Sequence, residues 1–255
     1  MALELVTIPC RTDNYAYLVH DAASGQTAAI DVPDAAPILA ELHARGWELS
    51  DILITHHHDD HISGVQALRE ATGAMVLGAA ADAHRLPPLD YALTETASFE
   101  IGTEKVRVID VPGHTIGHIA FHFPQSGYAF TADSLMAGGC GRLFEGTPAQ
   151  MWQSLKKLAA LPPETLICSG HEYTASNLRF AATLEPDNAA LMLRTKAVAA
   201  ARADGKPTVP VRLQTELDTN PFLRAGLPVL KAAVGLPDAD AATVFAEIRA
   251  RKDRF

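Results

Sequence analysis

The chain has 255 residues, of which 48% are hydrophobic and 20% charged, and its formal net charge is −9. That length holds one large domain, or a large domain with a small one, and that composition belongs to an ordinary soluble globule. The acidic balance argues against nucleic acid as a partner, and no apolar run approaches the ~20 residues needed to cross a bilayer.

Residues 3–8, 15–20 and 27–32 read as short strands joined by turns. Residues 34–46 carry Ile38, Leu39 and Leu42 at helical spacing, with Gly46 as the stop. A buried strand over 51–55 runs into Thr55-His-His-His-Asp-Asp-His61, and Val65, Leu68 and Ala71 give 62–72 a helical period. Further strands are predicted near 75–77, 106–111, 118–123, 128–132 and 165–168, and a helix over 149–161 between Pro148 and Pro162. Beyond about residue 173 the strand signal fades, and 174–184, 186–203 and 239–251 are Ala-rich and helical. The expectation is an α+β chain. Its N-terminal domain, 1–172, has two sheets flanked by helices, and a C-terminal helical domain, 173–255, lies across the edge that carries the histidine run.

Four potential metal ligands, His56, His58, Asp60 and His61, fall within six positions where a strand ends and a helix begins. On extended backbone His56 and His58 point the same way, because the side-chain period is two. A loop can then turn Asp60 and His61 toward a second point nearby, which suits two adjacent metal ions better than one. Neutral imidazoles and carboxylates are what zinc, iron and manganese accept at a hydrolytic site. His114, Asp133 and His171 each lie just past another predicted strand. Four strand ends thus supply five histidines and two aspartates.

The run 55–61 fits the T-H-x-H-x-D-H signature of the metallo-β-lactamase superfamily. Within that superfamily the chain resembles the glyoxalase II, or hydroxyacylglutathione hydrolase, family. The resemblance is carried by Thr12-Asp-Asn-Tyr15, Pro112-Gly-His-Thr115 with Gly117-His118, Phe130-Thr-Ala-Asp133 and Gly139-Cys-Gly-Arg142. It continues in Gly170-His-Glu-Tyr-Thr174, Glu185-Pro-Asp-Asn188 and Thr219-Asn-Pro-Phe222, and so spans essentially the whole chain. The metal signature is specific for the superfamily. The glyoxalase II resemblance rests on Gly170-His-Glu-Tyr173 and the C-terminal third.

The resemblance implies an αββα sandwich with a C-terminal helical, substrate-binding domain. It implies that His56, His58 and His114 bind one divalent metal, Asp60, His61 and His171 a second, and that Asp133 bridges the two. Asp60 and Asp133 are the carboxylates counted as catalytic, and the metals are zinc, with iron or manganese as alternatives. A metal-bridging hydroxide would hydrolyse S-D-lactoylglutathione, and related S-2-hydroxyacylglutathione thioesters, to glutathione and the hydroxy acid, D-lactate, in methylglyoxal detoxification. Arg142, Phe144, Tyr173, Arg249 and Lys252 would meet the glutathione moiety. Many relatives have lysine where Arg142 stands and tyrosine where Phe144 stands, and the missing hydroxyl would weaken binding by about 0.5–1.5 kcal/mol. A plainer account of the basic run 249–254 is a favourable helix C-terminus, worth roughly 0.3–1 kcal/mol per cation.

The remaining readings are more modest. Three cysteines, an odd number without metal-site spacing, argue for a reducing, cytoplasmic compartment, and the acidic N-terminus shows no secretory signal. Cys10, Cys140 and Cys168 are expected to be packing residues, and the chain to be a monomer. His57 is expected to pack or to donate to a backbone carbonyl, and His118 to orient the loop before it. His20, His43, His84 and His122 are expected at the surface or at an edge. Asp59 reads as a solvated loop residue, and Asp31 is a candidate acceptor for a metal-bound imidazole. Competing readings are a lactonase, a β-lactamase, a persulfide dioxygenase or an RNA-processing nuclease on the same scaffold, or a non-catalytic metal-binding protein. Asp133 with His171 favours a two-metal hydrolase, and Arg249 with Lys252 favours a glutathione thioester over a lactam.

Overall fold

Short apolar strands build two six-stranded sheets in a computed structural model that describes residues 2–255. The first sheet follows chain order: β1 (Glu4–Cys10), β2 (Asn14–His20), β3 (Thr27–Ile30), β4 (Asp51–Leu53), β5 (Met75–Ala79) and β6 (Tyr91–Leu93). Its first three strands are antiparallel and its last four parallel. The second sheet contains β7 (Ser98–Ile101), β8 (Glu104–Asp110), β9 (Ile119–Phe123) and β10 (Tyr128–Ala132). A small hairpin, β11 (Leu135–Met136) with β12 (Gly139–Cys140), stands apart, and β13 (Leu166–Ser169) and β14 (Val211–Arg212) complete the second sheet. Its order is β14-β13-β10-β9-β8-β7.

The two sheets face each other over Tyr17, Val19, Leu53, Val108, Phe121 and Phe130. On the outer face of the first sheet, α1 (Ala35–Arg45) and α3 (Val65–Thr72) bury Ile38, Leu42 and Leu68 against Leu18, Ile52 and Ile54. A four-residue helix, α2 (Asp59–Ile62), precedes α3. On the second sheet lies α4 (Pro148–Ala159), started by a capping box between Thr147 and Gln150 with Pro148 at its first turn. These layers are the αββα sandwich that the resemblance implied.

The C-terminal region consists of α5 (Thr174–Leu184), α6 (Ala189–Ala203), α7 (Leu213–Thr219), α8 (Pro228–Ala233) and α9 (Ala241–Arg254). Its Phe180, Phe222, Phe245 and Ile248 share one cluster with Ala129, Leu155 and Ile167 of the sandwich. Full burial of such side chains contributes roughly 1.5–3 kcal/mol each, so the helices are welded to the second sheet by a common core. One expectation is corrected here. The region after 173 is not wholly helical, because Val211 and Arg212 pair antiparallel with Ile167 and Leu166 and extend the sheet. Two residues carry too little periodicity to be read as a strand. Asp240 caps α9 by accepting from the Thr243 amide at 2.8 Å, and this fixes the direction in which Arg249 and Lys252 are delivered.

Candidate active site

The strand ends converge on one edge of the sandwich. β4 stops at Leu53, earlier than predicted, and the extended segment after it presents His56 and His58. Asp60 and His61 follow on α2. His114 lies beyond β8, Asp133 beyond β10 and His171 beyond β13. Asp31 and Ala132, at the ends of β3 and β10, have φ of 55° and 39°. Such backbone is strained for residues with a Cβ, and it turns the chain sharply into the site.

All seven sequence-predicted ligands meet. The donor atoms of His56, His58 and His114 lie within 4.8 Å of one another, as do those of Asp60, His61 and His171. His114 Nε2 is 2.9 Å from His58 Nδ1, and His61 Nε2 is 3.4 Å from His171 Nε2. Asp133 stands between the groups. Its Oδ2 is 3.4 Å from His171 Nε2 and 3.5 Å from His114 Nε2, and its Oδ1 is 3.6 Å from His61 Nε2. Asp60 Oδ2 lies 3.3 Å from His171 Nε2. Donors around a tetrahedral ion with bonds of about 2.0–2.2 Å sit about 3.3–3.6 Å apart, so most of these separations suit a shared cation better than a hydrogen bond.

The outward nitrogens decide which way the lone pairs face. Asp31 Oδ2 accepts from His61 Nδ1 at 2.8 Å, Asp13 Oδ1 from His171 Nδ1 at 3.0 Å, and the Arg142 carbonyl from His114 Nδ1 at 2.7 Å. These oxygens can only accept, so each Nδ1 carries the proton and each Nε2 offers a lone pair to the centre. Asp31 is itself held by the Thr55 amide and hydroxyl, both at 2.8 Å. His56 Nε2 and Asp133 Oδ1 are buried without a hydrogen-bond partner among the described residues, and such orphaned groups need an explanation. Gly170 leaves the room this requires, because a Cβ there would stand 2.6 Å from His61 Cε1 and 2.7 Å from Asp133 Oδ1.

The electrostatics agree. Burial drives His56 well below the usual imidazole range, and neighbouring His61 adds to the shift. Burial alone would also lower His171, but Asp133 and Asp60 outweigh it and push it up to about 12. Burial would raise Asp133, yet His171 and His61 hold it far below the usual carboxylate range. The hydrogen bond from His171 lowers Asp60 in the same way. The carboxylates draw positive charge to the centre, and divalent cations satisfy that demand while leaving the imidazoles neutral.

Above the centre opens a cavity of roughly 730 Å³ lined by His58, Asp60, His114, Asp133 and His171 on its floor. All five predicted substrate contacts line it, together with Met136, Cys140 and Asn177. Phe144, 61% exposed, sets its ring edge-on to His58 and His114 at 5.5 and 5.3 Å. Tyr173 stacks on His171 at 4.7 Å. The Arg142 side chain is largely exposed, with Nε 3.5 Å from Asp253. Lys252 Nζ is half-buried, 3.4 Å from the Ser176 carbonyl, and burial lowers its pKa. Arg249, by contrast, is buried and donates to the Cys140 carbonyl and to Asp253.

Comparison with known proteins matches residues 12–171 to the metallo-β-lactamase superfamily and residues 172–255 to the hydroxyacylglutathione hydrolase C-terminus. A hydroxyacylglutathione hydrolase of Cereibacter sphaeroides is 68% identical over 255 residues, covering 100% of both chains. The chain belongs to the hydroxyacylglutathione hydrolase family. Among solved structures, the BLEG-1 B3 metallo-β-lactamase is similar with a TM-score of 0.68 at 22% identity, covering 86% of this chain and 99% of its own. TTHA1623, solved in a di-iron-bound form, is 33% identical with a TM-score of 0.55, covering 66% of this chain and 91% of its own.

Several individual readings are corrected within this family frame. His57 packs against His58 with ring centroids 4.9 Å apart, and its nitrogens lie 3.2 Å from Asp82 and 3.5 Å from Glu145, carboxylates in place of the backbone carbonyl. His118 stays outside the donor groups, in keeping with a structural role. It stacks on His56 at 4.6 Å and 10°, and so supports that imidazole from behind. His20 and His122 are buried, not at the surface or an edge. His20 stacks on Trp47 at 4.1 Å, and His122 sits in β9, paired on both sides. Asp13 and Asn14 were missed as site residues, although the stretch containing them carried the family resemblance. Asn14 Nδ2 donates to the Asp60 carboxylate at 3.0 Å. Cys10, Cys140 and Cys168 are buried and free, as expected.

Asp31 proves to be the imidazole acceptor that its place at a strand end suggested. Asp31→Asn is expected to weaken metal retention by about 10–100-fold, the cost of losing an outer partner. Competition with a chelator, read by elemental analysis, checks this, and unchanged retention would remove Asp31 from the site.

Proposed function

We propose that the chain hydrolyses S-2-hydroxyacylglutathione thioesters, S-D-lactoylglutathione above all, releasing glutathione and a 2-hydroxy acid such as D-lactate, and so takes part in clearing methylglyoxal. The observation that carries the reading is a single cavity whose floor is formed by five donors of the seven-donor His/Asp cluster, His56 and His61 lying buried outside its lining, and whose wall, from the helical region 173–255, brings cations. His56, His58 and His114 would hold one divalent cation and Asp60, His61 and His171 a second, with Asp133 between them. The orphaned His56 Nε2 and Asp133 Oδ1 fit such ions, and the di-iron form of TTHA1623 supports a pair. Imidazole and carboxylate donors accept zinc, iron or manganese, and zinc is the proposed occupant. When bound, these cations polarise a carbonyl and make water acidic enough to attack near neutral pH.

The chain's own groups do the rest. Asp31, Asp13 and the Arg142 carbonyl keep three imidazoles neutral and aimed inward. Phe144 and Tyr173 form exposed aromatic walls beside the ligands. Arg142 and Lys252 are the cations best placed to meet the carboxylates of glutathione. Water adds to the acyl carbon, the C–S bond breaks, and its electron pair leaves on sulfur. A thiolate of pKa near ~8.5 departs without a general acid. Among the described residues no helix is long and apolar enough to cross a membrane. A reducing, cytoplasmic compartment is the proposed setting, supported by the three free cysteines, and a monomer is the proposed state.

The test is an absorbance assay of purified protein with S-D-lactoylglutathione and, separately, with a β-lactam. Thioester cleavage without lactam cleavage is expected. Lactam cleavage with an inert thioester would overturn the assignment.

A further inference from the structure

The guanidinium of Arg249 points at main chain, although its position on α9 suits a substrate contact. Arg249 is 7% exposed. Its Nη1 donates to the Cys140 carbonyl at 2.8 Å and its Nη2 to Asp253 at 3.0 Å, while Cζ lies 5.1 Å from the centre of the Phe222 ring. Its Nε is buried with no hydrogen-bond partner among the described residues. Two nitrogens are engaged and the third is closed off from solvent. A carboxylate entering the cavity would meet a group already committed to Cys140 and Asp253, with only the second N–H of each Nη left to offer.

What Arg249 grips leads to a predicted metal ligand. In the 139–142 strip, the Gly139 carbonyl accepts from Asn220 Nδ2 at 2.9 Å, the Cys140 carbonyl from Arg249, and the Arg142 carbonyl from His114 Nδ1 at 2.7 Å. Gly141 lies so close to the centre that an added Cβ would stand 2.0 Å from the Asp133 carbonyl oxygen and 2.9 Å from His114 Nδ1. Beyond the strip, the Phe144 amide donates to the His114 carbonyl at 3.3 Å. The helical region pins the strip from one side, and the His114 imidazole hangs from the other.

We propose that Arg249 is a positioning residue for His114, fixing from α9 the 139–142 strip whose Arg142 carbonyl holds the imidazole with Nε2 toward the centre. This inference rests on the reading of His114 as a metal ligand. It explains why an arginine stands there: a planar fork reaches Cys140 and Asp253 at once, whereas lysine offers a point charge. It also makes the helical region a support for the metal centre as well as a wall of the cavity.

Arg249→Lys and Arg249→Met are compared with the native chain by the rate at which bound metal passes to a chelator without substrate, followed by elemental analysis. The lysine variant keeps the charge beside the cavity but lacks the fork. Both variants are expected to release one of two metal ions about 10-fold faster, the lower end of the cost of losing an outer partner. Lys252→Met, which alters charge but not the strip, is expected to release metal at the native rate. If both Arg249 variants retain metal like the native chain and only raise KM, Arg249 acts on substrate and the inference falls. If the methionine variant does not fold, the lysine variant decides alone. A native chain that binds no metal would sink the reading of the site itself, so the two failures are distinguishable.

Discussion

Asp133→Ala is expected to lower kcat for S-D-lactoylglutathione by more than the about 10–100-fold that loss of an outer partner costs, and to reduce metal content. Asp133 is the carboxylate that faces both donor groups, within 3.4–3.6 Å of His171, His114 and His61. Without it, the imidazoles of the two groups crowd together with no negative charge between them. Asp133→Asn keeps the shape and removes the charge, and an intermediate loss is expected. Steady-state kinetics with elemental analysis reads both effects. A fully metallated Asp133→Ala protein with native kcat would mean that the bridge lies elsewhere.

The second large effect separates a ligand from a support. His171→Ala should cut kcat by more than ~100-fold, beyond the outer-partner range, since His171 Nε2 meets Asp60, Asp133 and His61 within 3.3–3.4 Å. His118→Ala should cost far less activity. It removes a ring stacked behind His56 and leaves a cavity in a buried layer, so stability suffers first. Equal losses of kcat, with both variants folded and both depleted of metal, would mean that the wrong histidine has been placed at the centre.

The seven donors were legible as candidates because His56, His58, His114, Asp133 and His171 fall past strand ends and Asp60 and His61 continue the same run into α2, while their grouping followed from the family resemblance. Asp31 was legible from its own place at a strand end. Asp13 and Asn14 were not assigned roles, since their partners lie 158 and 46 positions away and only tertiary contact joins them. His20 and His122 look like polar edge residues in the sequence, yet stacking on Trp47 and strand pairing on both sides bury them. β14 escaped notice because two residues carry no period, and the sheet edge supplies its partner. In the basic run 249–254 the resemblance gives Arg249 and Lys252 to the substrate, and the plainer account is a helix C-terminus. The burial of Arg249 over Phe222 and its grip on the distant Cys140 carbonyl arise only once α9 is packed.

The central claim is that the edge of this sandwich holds two cations which together support thioester hydrolysis. Elemental analysis of purified protein that is active on S-D-lactoylglutathione tests it most directly. Close to two metal ions per chain is the predicted result. One ion per chain in a fully occupied, fully active preparation would contradict it.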